Sequence, residues 1–105
     1  MCRWSRNQMA YRNRKLLDLA RNQACVNCGA EDGTVVPAHS NLGEHGKGKS
    51  LKADDSMVMW LCHTCHSELD QGKRMSRDER REFTYKMILR TYARMWEQGL
   101  IQVAK

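Results

Sequence analysis

The sequence predicts a small α+β domain held together by a metal ion, and three features of the chain predict it. Two Cys-x-x-Cys pairs lie far apart along the chain, at 25–28 and 62–65. Two short strand-like segments, 34–39 and 57–62, lie between them, and a long amphipathic segment follows. A chain of 105 residues buries a limited apolar area, so a structural metal would add materially to its stability.

The two cysteine pairs are predicted to bind one zinc ion. Each Cys-x-x-Cys turn can supply two thiolates, and two such turns complete a tetrahedral site. His63 and His66, on either side of the last cysteine, leave open a site in which a histidine replaces one thiolate. Four cysteines are preferred because the pairs are symmetrical, and a closed site of this kind is expected to be structural. The expected ligands are Cys25, Cys28, Cys62 and Cys65.

Periodicity and turn residues predict the elements of the first half. A helix is predicted over about 4–24, where apolar residues recur at spacings of three and four. The strand over 34–39 ends at His39, and Pro37 confines it to a sheet edge or a strand end. The segment 40–56, which is rich in glycine and lysine, is predicted to be a loop that leads into the second strand.

Two helices are predicted after the second cysteine pair. The first carries Glu68 and Leu69 and ends near Gly72. The second begins at a capping box, in which Ser76 and Glu79 each satisfy a backbone amide of the other. One apolar stripe of this last helix is expected to face the core. The stripe consists of Tyr85, Ile88, Leu89, Tyr92 and Trp96.

Charge is unevenly distributed along the chain, and its pattern favours a nucleic-acid partner. The net charge is +6 overall, with +5 over 1–24, −4 over 25–70 and +5 over 71–105. Basic arms around an acidic centre suit phosphate binding by the arms and cation binding by the centre. Helices with solvated arginine-rich faces are the alternative interpretation. The first residues contain no apolar segment, which predicts a cytoplasmic protein, and Cys2, the fifth cysteine, is given no role.

All four histidines lie between positions 39 and 66, and two of them are candidates for chemistry. His39 ends the first strand, and the zinc ion would bring that strand against the helix that carries His66. A neutral imidazole can take a proton from water, and a second imidazole can bind a divalent cation. Asp70, one helical turn beyond His66, is either a second ligand or an ordinary exposed aspartate. His45, in the loop, is expected to have only a structural role.

The cysteine pairs and the two histidines resemble a known family. The pattern is Cys25-x2-Cys28, Ala38-His39 and Cys62-x2-Cys65-His66. It resembles the zinc-bearing HNH endonucleases, also called His-Me finger or ββα-metal endonucleases, and more closely the small YbcO-type prophage proteins associated with phage recombination. The resemblance covers residues 25–72. It implies a ββα-metal core within one domain, flanked by a basic helical arm over 1–24 and a C-terminal helix over 73–105.

The resemblance also implies roles for particular residues. His39 corresponds to the general base that activates water against a phosphodiester, and His66 to a ligand of a catalytic Mg²⁺ or Mn²⁺ ion. Asp55, before the second strand, would take the place of the asparagine that steadies the base. Ala38 stands where many HNH enzymes have a metal-binding aspartate. Three alternatives follow from this difference. Asp70 replaces the missing aspartate as a metal ligand, water and phosphate complete the site, or the activity has been lost.

The activity that the resemblance implies is DNA endonuclease activity, in phage recombination or DNA processing within a bacterial host cell. A zinc-stabilised DNA-binding module without catalysis is the main alternative, and a protein–protein adaptor would leave the basic arms unexplained. A homodimer would suit the cutting of both strands. The side chains expected to hold DNA phosphates are Lys47, Lys49, Lys52, Arg14, Arg21 and Arg74.

Overall fold

The computed structural model describes residues 10–48 and 51–104. The elements are, in chain order, α1 (Arg14–Asp18), β1 (Val36–His39), β2 (Val58–Leu61), α2 (His63–Gln71) and α3 (Arg77–Glu97), with a 3-10 turn at Gly43–His45. The two strands form an antiparallel sheet, which confirms a small α+β fold. In the described part of the chain, no helix has both the length and the apolar character needed to cross a membrane.

The register of the sheet explains how β1 accommodates a proline. Pro37 lies opposite Trp60. The N–H of Trp60 donates to Thr91 Oγ1 at 3.0 Å, and the carbonyl of Trp60 accepts from the N–H of Val26 at 2.9 Å. Both groups therefore point away from β1, so the missing N–H of Pro37 removes no bond between the strands. The expectation of an edge position for Pro37 is confirmed, since each strand of this sheet is an edge.

The core lies between β2 and α3. Every residue of β2 is buried, and α3 covers the strand with buried methionine and threonine side chains. The hydroxyls of Thr84 and Thr91 donate to the backbone carbonyls of Arg80 and Met87, at 2.8 and 2.9 Å. Because these hydroxyls are paired within their own helix, the two threonines are buried at little cost.

The apolar stripe expected on α3 is only partly right. Ile88 is buried and Tyr92 packs against the core, but Leu89 is 70% exposed, Trp96 is 51% exposed and Tyr85 also faces solvent. The buried face is rotated toward the two threonines and the two methionines of the same helix, Met87 and Met95. A hydropathy pattern ranks threonine as polar and cannot show that its hydroxyl is satisfied locally.

The N-terminal helix is much shorter than the predicted 4–24. Only the part after residue 9 is described, and there α1 has five residues, with Asn13 as its N-cap. Residues 10–13 have no regular secondary structure, and Asn13 itself is extended. The N–H of Tyr11 donates to Asp54 Oδ1 at 3.2 Å, and the N–H of Asn13 donates to Asp55 Oδ2 at 2.7 Å. Carboxylates from a distant segment thus take the amides that a longer helix would use, and tertiary contacts override a modest local preference.

The last two helices are present as predicted, but α2 begins at His63, inside the second cysteine pair and not after it, because Cys62 is its N-cap. Gly72 is the C-cap of α2. At the start of α3, Ser76 Oγ accepts from the N–H of Glu79 at 3.1 Å, and the Glu79 carboxylate accepts from the N–H of Ser76 at 2.7 Å. The capping box is therefore confirmed.

Candidate metal centre and histidine site

The four cysteines of the two pairs come together at the junction of β2 and α2. Their Sγ atoms all lie within 4.8 Å of one another, and those of Cys28 and Cys62 are 3.7 Å apart. A tetrahedral zinc ion with Zn–S bonds of about 2.3 Å needs sulfur atoms roughly 3.8 Å apart. A disulfide would need about 2.05 Å. The cluster of Cys25, Cys28, Cys62 and Cys65 therefore has the geometry to bind a metal ion such as zinc.

Local backbone structure shapes both halves of this cluster. The N–H of Gly29 donates to the Cys25 carbonyl, and the N–H of Cys25 donates to the Ala30 carbonyl, both at 2.9 Å. Gly29 has a φ of 82°, a conformation that favours glycine at this turn. β2 leads directly into Cys62, the residue that precedes α2. The sheet, the second cysteine pair and α2 are therefore one continuous unit.

The thiols of the cluster differ in how readily they ionise. Burial opposes ionisation of Cys25, but backbone hydrogen bonds, the strongest from Cys28 and Cys62, lower the pKa of Cys25 to about 7. Burial raises the pKa of Cys62, and it raises the pKa of Cys65 to about 12 although Asn27 Nδ2 donates to its sulfur at 3.3 Å. A bound dication would hold the thiols as thiolates, so metal binding releases protons.

His39, the last residue of β1, is hydrogen-bonded to Asp55. His39 Nε2 lies 2.8 Å from Asp55 Oδ1, and the two side chains are 18% and 4% exposed. Burial alone would raise the pKa of Asp55, but hydrogen bonds from His39 and the Asn13 amide, with the charge of Arg12, hold this pKa below its ordinary value. The ionised carboxylate favours the tautomer with a proton on Nε2, which leaves His39 Nδ1 as the basic nitrogen.

A second histidine–carboxylate pair lies on α2. His66 Nε2 is 3.0 Å from Asp70 Oδ2, one helical turn later, and both side chains are partly exposed. Asn41, two residues after His39, donates from Nδ2 to Asp70 Oδ1 at 3.0 Å. This contact fastens the segment that follows β1 to the end of α2. The two histidine pairs are therefore held by adjoining segments.

The histidine pairs do not merge into a cation site with three protein ligands. Within 10–48 and 51–104, the cysteine cluster is the one group in which three or more Cys, His, Asp or Glu residues have ligand atoms within 4.8 Å of one another. Ala38 is buried in β1 opposite Met59 and offers no ligand. His66 and Asp70 can supply two ligands at most, so oxygens of water or phosphate would have to complete a cation shell.

The other two histidines lie apart from this chemistry. His45 is buried, its Nδ1 is 2.7 Å from Ser40 Oγ, and its ring meets the Tyr85 ring edge-on with centroids 5.1 Å apart. His63 is exposed, and its backbone N–H donates to Thr34 Oγ1 at 2.9 Å. The cysteine cluster is complete without His63.

The basic residues expected to bind DNA lie on the surface where they are described. Arg14 and Arg21 both approach Asp18, at 3.5 and 3.9 Å, and Arg74 lies 3.9 Å from Glu68. Exposed ion pairs of this kind are weak, so the arginines can exchange a carboxylate for a phosphate. Lys49 lies outside the described residues. The exposed members of the set are Arg14, Arg21, Arg74, Lys47 and Lys52.

Sequence reasoning missed the segment 11–13, which contacts the candidate base through Asp55. These residues fall inside the helix predicted over about 4–24 and are given no role there. Only Asn13 carries a signal, because asparagine is a preferred N-cap residue and its position marks where α1 begins. Nothing in the sequence indicates that Arg12 would bind the loop before β2.

The chain matches a family model over residues 5–95, which is most of its length. It is a small protein with an α+β fold and a four-cysteine cluster that could bind a metal ion such as zinc. It belongs to the family described as DUF968, a protein family of unknown function. Neither the curated proteins nor the solved structures contain a match.

Proposed function

We propose that this protein is a metal-dependent DNA endonuclease of the HNH type. The observation that carries the proposal is the 2.8 Å hydrogen bond between His39 Nε2 and Asp55 Oδ1, at the end of β1 and largely out of solvent. A histidine oriented by an ionised carboxylate is an effective general base near neutral pH. The chain order β1, β2, α2, with the cysteine cluster at the last junction, is also the order of a ββα-metal core.

In the proposed reaction, His39 Nδ1 removes a proton from water as the water oxygen attacks phosphorus. A new P–O bond forms while the bond to the leaving sugar oxygen breaks. Asp55 stabilises the imidazolium that results, because its Oδ1 already accepts the Nε2 proton. The carboxylate also keeps the ring from turning, which holds Nδ1 in one direction.

His66 and Asp70 would hold the catalytic Mg²⁺ or Mn²⁺ ion. When bound there, the ion would supply positive charge at the scissile phosphate and the leaving oxygen. The hydrogen bond from Asn41 occupies Asp70 Oδ1 and leaves Oδ2 directed toward His66. The imidazole ligand favours Mn²⁺ over Mg²⁺.

The charge distribution supports DNA as the substrate. Exposed arginines and lysines on both sides of the acidic centre would hold phosphates and would not read bases. Such binding weakens steeply as salt is added. A role in phage recombination or DNA processing, in the cytoplasm of a bacterial host, is the corresponding biological proposal.

Cleavage of supercoiled and branched DNA, in Mg²⁺ and then in Mn²⁺, tests the proposal. Wild-type protein is expected to cut, and His39→Ala to lose at least about 100-fold in rate while keeping its affinity for DNA. His63→Ala is the matched control, since this exposed histidine lies outside both pairs. Zinc content is measured for each protein. Cutting by His39→Ala at the wild-type rate would remove His39 from the mechanism.

The buried Ala38 favours a second candidate, a zinc-stabilised DNA-binding module without catalysis. A metal-binding aspartate is absent from this position, and the described residues form no three-ligand cation site around His66. If wild-type protein and His39→Ala bind DNA equally with a steep dependence on salt, and neither cuts it, this second function is the better account.

A homodimer is also proposed, with α3 as its interface. Leu89 and Trp96 are exposed on this helix, and Lys86 and Glu97 lie toward opposite ends of the same face. An antiparallel second copy would pair apolar side chains at the centre and opposite charges at the ends. Sedimentation of wild type and Leu89→Glu tests the interface, and a wild-type monomer at working concentration would contradict it.

A further inference from the structure

We propose that Arg12 is a positioning residue, which holds Asp55 and through it His39 in the geometry that the base needs. The inference rests on the proposed function, because the step that Arg12 would assist is proton removal by His39. Arg12 lies in the segment without regular secondary structure before α1, outside residues 25–72 that carry the nuclease resemblance.

The guanidinium of Arg12 binds the backbone that leads into Asp55. Arg12 Nη1 donates to the carbonyl of Ala53 at 2.8 Å, and Nη2 donates to the carbonyl of Lys52 at 3.0 Å. Nη1 also donates to the carbonyl of Tyr11 at 3.1 Å. A planar guanidinium presents its donors in a fixed geometry. These bonds therefore hold the loop to Arg12 and also fix the orientation of its carbonyls.

The carboxylate of Asp55 divides its oxygens between the base and this same segment. Oδ1 accepts from His39 at 2.8 Å and lies 3.6 Å from Arg12 Nη1, while Oδ2 accepts from the N–H of Asn13 at 2.7 Å. The N–H of Asp55 donates to the carbonyl of Tyr11 at 2.9 Å. Backbone groups of Tyr11 and Asn13 therefore hold Asp55 from the side opposite His39. Arg12 adds side-chain bonds from Nη1 and Nη2 to this backbone attachment.

Arg12 and Arg14 form a matched pair for testing this role. They are two residues apart and chemically identical, but Arg14 is exposed and its described contact is an ion pair with Asp18 at 3.5 Å. The Arg12 side chain is 37% exposed, against 83% for Arg14, and its guanidinium binds the loop carbonyls and lies 3.6 Å from Asp55 Oδ1. Removing Arg12 should disturb the position of His39, whereas removing Arg14 should weaken DNA binding.

The kinetic test uses the full-length, zinc-loaded chain. Arg12→Ala is expected to lower kcat by about 10- to 100-fold with little change in KM, because displacing a catalytic group by about 1 Å can cost roughly 100-fold. Arg14→Ala is expected to raise KM. Arg12→Lys keeps the charge but loses the fork, so it should recover part of the lost kcat and also serves if Arg12→Ala fails to fold.

Nitrogen NMR of the His39 ring gives a readout that does not depend on cleavage. The wild-type signal, identified by its loss in His39→Ala, should show the proton on Nε2 in a hydrogen bond. Arg12→Ala should weaken that bond and mix the tautomers, and Arg14→Ala should leave the signal unchanged. Wild-type kcat and wild-type ring signals in both Arg12 variants would overturn the inference. If no protein cuts DNA, the proposed nuclease fails, and the ring signals still decide whether Arg12 positions His39.

Discussion

Asp55 joins three parts of the molecule through a single side chain. One oxygen holds His39 at the end of β1, the other holds the backbone of Asn13 before α1, and Asp55 itself lies in the loop that leads into β2. Nearly complete burial would favour the neutral acid, but the surrounding donors and the charge of Arg12 outweigh it. Asp55 is therefore an ionised carboxylate whose loss should affect both stability and the candidate base.

Asp55→Asn keeps the shape of the side chain and removes its charge. Because the pKa of Asp55 is below its ordinary value, the ionised group stabilises the fold fully above the unfolded-state pKa, and that stability is lost as pH falls from there through the lower, folded-state pKa. Denaturant unfolding should show the variant less stable by about 1–3 kcal/mol at neutral pH. The difference should not shrink between pH 7 and about pH 5, since an ordinary aspartate titrates near 3.9.

Asp18→Asn provides the control for this measurement. Asp18 is exposed and its ion pairs are loose, so the change should be below about 0.5 kcal/mol. A stability difference for Asp55→Asn that already shrinks between pH 7 and 5 would mean that the carboxyl has a raised pKa. The assignment of Asp55 as an ionised partner of His39 would then be wrong.

At the scale of elements, α3 turns a polar pair of residues toward the core. Thr84 and Thr91 are both buried, and each donates to a carbonyl one turn earlier. Thr91 also accepts the N–H of Trp60, a donor that points away from β1 and would otherwise be buried without a partner. The face that α3 buries therefore satisfies a backbone donor of β2 as well as the hydroxyls of its own threonines.

Thr91→Val and Thr84→Val separate these two roles of a buried threonine. Thr91→Val should lower the free energy of unfolding by about 1–3 kcal/mol, because it leaves the N–H of Trp60 without an acceptor. Thr84→Val removes a hydroxyl whose described bond is to the Arg80 carbonyl, inside a helix that supplies that carbonyl with a backbone donor. Its cost should be clearly smaller in urea unfolding. Equal losses would show that the bond to β2 is unimportant.

At the scale of the whole molecule, the cysteine cluster joins the turn after α1 to the junction of β2 and α2. The described part of the chain forms a sheet of two strands, and a sheet of this size is marginal without further support. Structural zinc in small peptides binds with an apparent free energy of about 10–16 kcal/mol, which is comparable to the stability of an entire domain. We therefore expect the metal to determine whether the chain folds.

Zinc content and folding should change together. Wild-type protein should bind one zinc ion per chain, and a chelator should remove both the metal and the cooperative unfolding transition followed by circular dichroism. Cys25→Ser should lose zinc because its ligand atom belongs to the cluster. Cys2→Ser should keep it, as Cys2 is the fifth cysteine and has no predicted role. A cooperative, metal-free wild-type fold would contradict this account.

Local patterns were sufficient to predict much of the fold. The spacing of the cysteines predicted their cluster, the segments beside them predicted β1, β2 and α2, and Ser76 with Glu79 predicted the start of α3. Each of these features depends on residues close in sequence or on a spacing that only a few structures satisfy. The buried face of α3 and the length of α1 were not predicted, because both depend on partners about 30 to 40 residues away.

The sequence by itself determined the residue types available for chemistry: four thiols in two pairs, His39 after a strand, and His66 with Asp70 one turn apart on a helix. Only the tertiary structure decided how they are supported. It binds Asn41 to Asp70 and attaches Asn13 and Arg12 to Asp55 and its loop, whereas the contact of Asp55 with His39 is one that the family resemblance had implied. The physical reason is that helices, turns and caps are set by neighbouring residues. A buried carboxylate, by contrast, takes its donors from whatever segments the packing brings to it.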